Sequence, residues 1–143
     1  MSATDIMPPD QIMESCRLVR LQSDGQPVVD LSGTPTPGVI DGIEIPQPVP
    51  ELYREIMTQR INWIDPSLRC AVVQPRQVPL RLRISYLALK DKSGDIWLDL
   101  ATLLLEEGAA RVASGTFSGR EEFLAAEAKA RARKAGIWGD ERP

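Results

Sequence analysis

The chain has 143 residues, 43% hydrophobic and 26% charged, which is enough for one domain with a real core but not comfortably for two. Its formal net charge is −3, so composition gives no support to nonspecific nucleic-acid binding, which rests on neutralising phosphates with Lys and Arg. The sequence has no His, which excludes Ser–His and Cys–His nucleophile pairs and imidazole metal ligands. Acid–base chemistry would therefore depend on Asp, Glu, Lys or Tyr.

The N-terminal residues and the cysteines bear on location. The opening MSATDIMPPDQIMES has prolines and acids where a signal peptide needs a basic start and an apolar run. No stretch approaches the roughly 18 apolar residues of a membrane span, so we expect a cytoplasmic protein that does not bind membranes. Cys16 and Cys70 have neither CxxC nor zinc spacing. We expect two buried free thiols, with one disulfide as the minority alternative.

The N-terminal half predicts three strands and a helix. Residues 1–14 are polar and contain proline, and are expected to form a loose arm. The segments 16–22, 28–31 and 39–45 have strand-like composition and are separated by turns that contain Gly and Pro. A proline-containing connector follows, and apolar residues at helical spacing then predict a helix near 50–63.

The next part of the chain predicts three more strands and a short helix. The segments 68–73, 79–89 and 96–98 are rich in strand-forming residues. A compact amphipathic pattern follows near 99–107. Gly108 stands where a helix of this length would end, because glycine readily takes the left-handed conformation of a C-terminal cap.

The last helix has the clearest pattern in the sequence. Ser118 and Glu121 have the spacing of a capping box, which predicts a helix over about 119–135. Acidic residues in its first turn and basic residues in its last turn match the helix dipole. Gly136 is expected to end the helix, and Trp138 to anchor the chain beyond it.

Element order alone supports one α+β domain. Strands, a helix, further strands and two more helices follow one another without an internal repeat over residues 15–139, and a tail follows at 140–143. A small barrel with helices packed outside it is one architecture compatible with this order, and periodicity goes no further.

Three stretches carry a more specific pattern. Residues 103–112 read LLLEEGAARV, residues 124–138 form a helical segment that ends in GIW, and residues 42–47 read GIEIPQ. The first resembles the LVxEGLAxV segment of the staphylococcal-nuclease family, the second resembles that family's closing GIW helix, and the third resembles its GID(A/T)PE segment. The resemblance implies a five-stranded OB-fold β-barrel that carries three helices.

Active members of that family cleave phosphodiester bonds with one calcium ion, which two carboxylates hold. In this chain the first of those carboxylates falls on Gly25, with Asp24 one place away, and the second becomes Glu44. The resemblance therefore implies Glu44 and Asp24 as metal ligands only if the site is active.

The family also uses a glutamate to activate water and two arginines to stabilise phosphate charge. The glutamate becomes Gln47, the first arginine falls on Val39, and the second falls near Leu82. Arg81 and Arg83 flank Leu82, and strand parity decides whether either could point inward. An ordinary role for Glu44 and these arginines, as surface charges on strands, is the more common outcome.

Other candidate sites are weaker. The segment 91–95 superficially resembles a calcium loop but lacks its ligand spacing, so a hairpin turn is expected. The basic run at 129–134 is more typical of a solvated helix face than of a nucleic-acid contact. Trp63, Trp97 and Trp138 could stack on bases, but at least two should be core or anchor residues.

The resemblance and the lost site residues favour a catalytically degenerate barrel that acts as a binding module without a cofactor. A protein partner is slightly favoured over single-stranded nucleic acid. The alternative is a calcium-dependent nuclease with a non-standard site, and a third possibility is a subunit whose partner chain supplies the chemistry. The face expected to bind contains Arg17, Arg20, Arg81 and Arg83.

Overall fold

The computed structural model describes residues 14–31, 33–61, 68–74, 79–89 and 92–139. The strands are β1 (Glu14–Ser15), β2 (Arg17–Leu21), β3 (Pro27–Leu31), β4 (Thr34–Ile40), β5 (Ile43–Glu44), β6 (Leu68–Gln74), β7 (Leu80–Leu89), β8 (Ile96–Asp99) and β9 (Arg111–Val112). The helices are α1 (Glu51–Ile61), α2 (Leu100–Glu106) and α3 (Arg120–Arg133), and a one-turn 3₁₀ helix covers Gly136–Trp138. Each of the three α-helices lies within the segment that the sequence predicts for it.

The main sheet is mixed, so the α+β class is confirmed. Its strand order is β1-β6-β7-β4-β3-β2, and β8 adds to β7. The pair of β4 with β7 is parallel, whereas the other strand pairs of this sheet are antiparallel. Only Cys16 separates β1 from β2. One continuous stretch, 14–21, therefore pairs with β6 at its start and with β3 along the rest.

The core joins this sheet to all three helices. α1 contributes the buried Tyr53 and Met57, α2 contributes Leu104, and α3 contributes Phe123. The Tyr53 hydroxyl donates a hydrogen bond of 2.6 Å to the Gly25 carbonyl, which ties α1 to the turn between β2 and β3. Burial of these apolar side chains stabilises the arrangement of helices and sheet.

β7 departs from the alternation expected of a strand. Residues 82–85 are all buried: Leu82 and Ile84 belong to the hydrophobic core, and the Arg83 guanidinium, which alternates with them along the strand, is covered by the rings of Phe117 and Phe123. A strand covered on both faces loses the polar alternation that a one-sided sheet would show. Parity places Arg81 and Arg83 on the same face of β7, where both reach Asp41, but it does not reveal that packing buries only Arg83.

The two C-terminal motifs meet each other in space. Gly108 follows α2 with φ of +74°, and its carbonyl accepts a hydrogen bond of 2.8 Å from the Ile137 amide. A Cβ atom at Gly108 would collide with the Ala135 carbonyl, so glycine permits this close backbone approach. Trp138 is buried beside it, as expected, and the Arg131 guanidinium lies 4.3 Å from its ring centroid.

The ends of α3 differ from the prediction. The N-cap residue is Gly119, with φ of +83° and no side-chain cap hydrogen bond, so the capping box expected from Ser118 is wrong. The Ser118 carbonyl instead accepts from the buried Arg83 guanidinium, which fixes the chain before the helix. At the other end Lys134 is the C-cap and takes the left-handed conformation, so the helix stops at Arg133, three residues before Gly136.

The expectation of two free thiols is also wrong. Cys16 and Cys70 form a disulfide with their Cα atoms 5.8 Å apart, and both residues are buried. Pairing of β1 with β6 places Glu14 opposite Cys70, and the Cys16 amide donates to the Leu68 carbonyl at 3.2 Å. The two cysteines are 54 residues apart in sequence, so only this strand pairing reveals that they are neighbours.

Two boundary predictions fall largely outside the described residues. Of the arm expected over 1–14, only Glu14 is described, and it lies in β1. The tail at 140–143 and Trp63 lie outside the described residues. None of the helices described has the length and apolar character that a membrane crossing requires.

Candidate functional site

The structure brings Asp24 and Gln47 together, though not through the Asp24 carboxylate. Gln47 Nε2 donates to the Asp24 backbone carbonyl at 3.0 Å and to the Ile45 carbonyl at 3.2 Å. Asp24 Oδ1 accepts from the Gln26 amide at 3.0 Å, as in an Asx turn. The amide of Gln47 therefore holds the β2–β3 turn in place, a role that needs a donor where the family has a carboxylate.

Glu44 forms an ion pair rather than a ligand cluster. It lies opposite Arg111 in the pair of β5 with β9, and Arg111 Nη2 is 3.2 Å from Glu44 Oε1. Both side chains are substantially exposed, so this pair adds little stability. Within the described residues, no group of three or more His, Cys, Asp or Glu is arranged to hold a metal ion.

The two positions where the resemblance would place phosphate-binding arginines, Val39 and Leu82, carry apolar side chains. Leu82 is fully buried in the core, and Val39 is half-buried in β4, opposite Arg81 in the parallel register with β7. Neither position has room or charge for a bidentate phosphate contact, which requires a guanidinium at the surface.

Arg81 and Arg83 share one acidic partner, Asp41. Arg83 Nη2 and Nε lie 3.2 and 3.3 Å from Asp41 Oδ2, and Arg81 Nη1 lies 3.5 Å from Oδ1. Arg83 is only 1% exposed, whereas the Arg81 side chain is 44% exposed. The Arg83 guanidinium also lies 4.8 Å from the ring centroid of Phe123. The predictions of Arg83 as a binding residue or as a surface charge are therefore both wrong, because packing covers it completely.

Arg17 and Arg20 are exposed on β2, as a binding role requires. Arg17 Nη2 lies 3.8 Å from Asp30 Oδ2 on the adjacent strand β3. A register shift separates Leu18 from Arg20 in this strand pair. Of the four arginines expected on a binding face, three are therefore exposed, namely Arg17, Arg20 and Arg81, and one, Arg83, is buried.

The basic run on α3 is engaged with the protein itself. Lys129 Nζ lies 4.0 Å from Glu106 Oε1, Arg131 Nη2 lies 3.6 Å from Glu127 Oε1, and Arg133 donates to the Glu106 carbonyl at 2.6 Å. The side chains remain largely exposed. These basic side chains therefore form an exposed helix face, as the sequence predicts, and three of them also contact groups of the protein itself.

The structure also shows a feature that the sequence interpretation missed. A pocket of about 190 Å³ lies between β7, β8, α2 and the first turn of α3. Its walls combine two leucines, one aromatic ring, one hydroxyl and three carboxylates. The residues that line it are Leu98, Leu103, Tyr86, Thr102, Asp99, Glu106 and Glu122.

Asp99 is the most unusual group in this pocket. It is the N-cap of α2, where its Oδ2 accepts from the Thr102 amide and hydroxyl, each at 3.1 Å. Its Oδ1 is buried and has no hydrogen-bond partner among the residues described. Burial raises the pKa of Asp99, and the Arg83 charge and the hydrogen bonds from Thr102 oppose that shift.

Tyr86 forms the aromatic wall of the pocket. The Arg60 guanidinium lies 5.1 Å from its ring centroid, within the range of a cation–π contact. Burial raises the pKa of the Tyr86 hydroxyl, while Arg60 acts in the opposite direction. An Asp before an apolar helical segment is a recognisable cap signal, but its burial beside Tyr86 depends on the pairing of β7 with β8.

No protein-family model matches this chain, and no curated protein does. The resemblance to staphylococcal nuclease therefore rests on the three motifs in the sequence.

Proposed function

We propose that this chain is a catalytically degenerate nuclease-like OB barrel that acts as a binding module, with a protein as its partner. The strand pairing supports the barrel: the stretch 14–21 pairs with β6 and with β3, at the two ends of the strand order. The first and last strands of the order, β1 and β2, belong to this one stretch of chain. Such a sheet can close on itself when its strands tilt and twist.

The proposed loss of catalytic activity follows from the residues that stand where the family has its charged groups. Gln47 is a hydrogen-bond donor to Asp24 and has no basic lone pair at neutral pH. Leu82 is buried in the core, and Glu44 is paired with Arg111. A site without a base and without free phosphate-binding guanidinium groups lacks the means to stabilise the transition state.

Charge balance favours a protein over a nucleic acid as the partner. The net charge is −3, and Asp41 already neutralises Arg83 and part of Arg81. Phosphate binding depends on cations that can release counterions from the nucleic acid, and β7 offers few such groups. A partner chain could also supply chemistry that this chain lacks, which is consistent with a binding role.

One contact favours the alternative of a residual calcium-dependent nuclease. Because Gln47 bonds to the Asp24 carbonyl, the acidic β2–β3 turn lies beside the segment that follows β5 and Glu44. Asp24 and Glu44 would be the ligands in that case, with calcium as the cofactor. The proposed module needs no cofactor.

The disulfide bears on location. The cytoplasmic location expected from the sequence stays a prediction, and the Cys16–Cys70 bond counts against it, because the cytosol keeps most protein thiols reduced. Alkylation of free thiols before lysis, followed by mass spectrometry, measures the state of the two cysteines in cells.

Fluorescence anisotropy with short labelled single-stranded DNA at low salt tests the choice of partner. We expect no binding at about 50 µM protein, within the roughly 1–100 µM range of nonspecific dissociation constants. Binding that falls steeply with salt and is lost in Arg17→Glu with Arg20→Glu would contradict the protein-binding proposal. These two arginines are suitable because they are exposed, whereas changing the buried Arg83 would damage the fold.

A further inference from the structure

The pocket next to α2 has a pronounced charge asymmetry. Three of its lining residues, Asp99, Glu106 and Glu122, are acidic. Within the described part of the chain, no Lys or Arg lines the pocket. The pocket therefore presents a negative potential to anything that enters it, and low-dielectric walls strengthen that potential.

Asp99 provides a second and independent indication of a ligand. It is 6% exposed and lines the pocket, and its Oδ1 lacks a hydrogen-bond partner among the described residues. Burial of a carboxylate without full hydrogen bonding is unfavourable. A cation in this pocket would offset the cost of burying the Asp99 carboxylate. The hydrogen bonds that cap α2 do not, because they involve only Oδ2.

The walls suit a planar organic cation better than a metal ion. The residues described contain no group of three acidic or sulfur ligands arranged for a metal. Tyr86 offers an aromatic ring, while Leu98 and Leu103 offer an apolar wall for a methylene chain. A guanidinium on an alkyl stem bonds to carboxylates through several N–H groups and also stacks on aromatic rings.

We propose that this pocket binds the arginine side chain of a partner protein, with its guanidinium directed at Asp99 and Glu122 and its stem along Leu98 and Leu103. This inference rests on the proposed function as a binding module. The acidic lining and the net charge of the chain select a basic segment as the complementary partner.

Two cations lie near the pocket, the Arg60 guanidinium at 5.1 Å from the Tyr86 ring centroid and Lys129 beside Glu106, and neither residue lines it. Lys129 Nζ lies 4.0 Å from Glu106 Oε1, and its side chain is 72% exposed. An exposed contact at this distance contributes little and is readily exchanged. Asp99 and Glu122 are therefore the groups on which recognition depends.

The test is a two-dimensional ¹⁵N–¹H NMR titration of the full chain with the peptide acetyl-Gly-Arg-Gly-amide. We expect saturable shifts of the Leu98, Thr102 and Leu103 amides at about 10 mM peptide, above the roughly 1 mM dissociation constant of a weak single-side-chain contact. The same peptide with citrulline in place of arginine should cause no saturable shift, because citrulline has the same shape without the charge.

Matched variants locate the binding site. Asp99→Asn keeps an N-cap acceptor for α2 and should weaken peptide binding about tenfold, since one charge-assisted contact is lost. Glu122→Gln should weaken binding roughly two- to fivefold, as expected of an exposed charge. Glu121→Gln is the control, because Glu121 lies in the same helical turn and is exposed but does not line the pocket. If Asp99→Asn does not fold, the comparison of Glu122 with Glu121 still decides the result.

Three results would overturn the proposal: no saturable shift with the arginine peptide, equal shifts with the citrulline peptide, or binding that Glu122→Gln leaves unchanged. Binding of free butylguanidinium without binding of the peptide would also overturn it, because the site would then take a small molecule. Cleavage of DNA by the protein would remove the proposed function and leave this titration standing. Absence of both cleavage and peptide binding would remove only the arginine site.

Discussion

Asp99 makes a prediction about stability that depends on pH. Because burial raises its pKa above the ordinary value of 3.8, the folded protein binds more protons than the unfolded chain between 3.8 and the raised value. Stability therefore falls as pH rises through that window. Asp99→Asn has no such titration, so its melting temperature should rise relative to the parent as pH increases from about 4 to 8.

The measurement is thermal unfolding of both proteins across that pH range. A difference in melting temperature that is constant with pH, or that shrinks as pH rises, would show that the Asp99 carboxylate is not destabilised by burial.

Arg83 and Arg81 offer a matched comparison, since both contact Asp41. Arg83→Ala removes the closer, buried partner of Asp41 and leaves only the partly exposed Arg81 beside that carboxylate, so it should lower the free energy of unfolding by about 3–5 kcal/mol. Arg81→Ala removes a guanidinium on a side chain that is 44% exposed and should cost less than about 1 kcal/mol. Urea unfolding measures both, and equal losses would contradict a buried structural role for Arg83.

At the scale of single residues, the sequence shows which side chain stands at each site position but not how buried that side chain is. The sequence shows that Gln47 and Val39 stand where the resemblance would place a glutamate and an arginine. The burial of Arg83 cannot be predicted in this way, because it depends on Phe117 and Phe123, which approach from a distant part of the chain. The pocket at Asp99 could not be predicted either, because its lining residues come from distant segments of the chain.

At the scale of elements, local signals predicted the helices well. α1, α2 and α3 fall within their expected segments because helical periodicity and glycine caps are local properties. The start of α3 was predicted wrongly, since Gly119 takes the cap position and Arg83 uses the Ser118 carbonyl. Strand partners were not predicted, because pairing such as that of β4 with β7 joins distant segments.

The disulfide leads to a prediction for the edge that β1 and β2 share. It links Cys16 in that stretch to Cys70 in β6, so it restricts the unfolded chain over a loop of 54 residues. Cys16→Ser with Cys70→Ser should lower the free energy of unfolding by roughly 2–4 kcal/mol.

Chemical unfolding with and without a reducing agent checks this prediction. The reductant should destabilise the parent protein and leave the double variant unchanged. The prediction would be contradicted if the reductant did not change the unfolding of the parent protein and if the purified protein reacted with thiol reagents. Those results would show that the bond does not form.

At the scale of the whole molecule, the stretch 14–21 pairs with β6 and with β3 and so joins the two ends of the strand order. Among the described residues, Arg83 is paired with Asp41, Glu44 is paired with Arg111, and the Gln47 amide donates to the Asp24 carbonyl. The α+β class could be predicted from element order. The partner could not, since binding surfaces depend on charges that the fold brings together, as at Asp99 and Glu122.

The most direct test of the account is cleavage of fluorescent single-stranded DNA by the purified protein during a calcium titration. Loss of one charge stabiliser alone lowers the rate by about 10²–10³, and Gln47 stands where the resemblance places the general base. We therefore expect no calcium-dependent cleavage above the buffer control. Cleavage that rises with calcium and disappears in Glu44→Gln would contradict it and establish a working metal site.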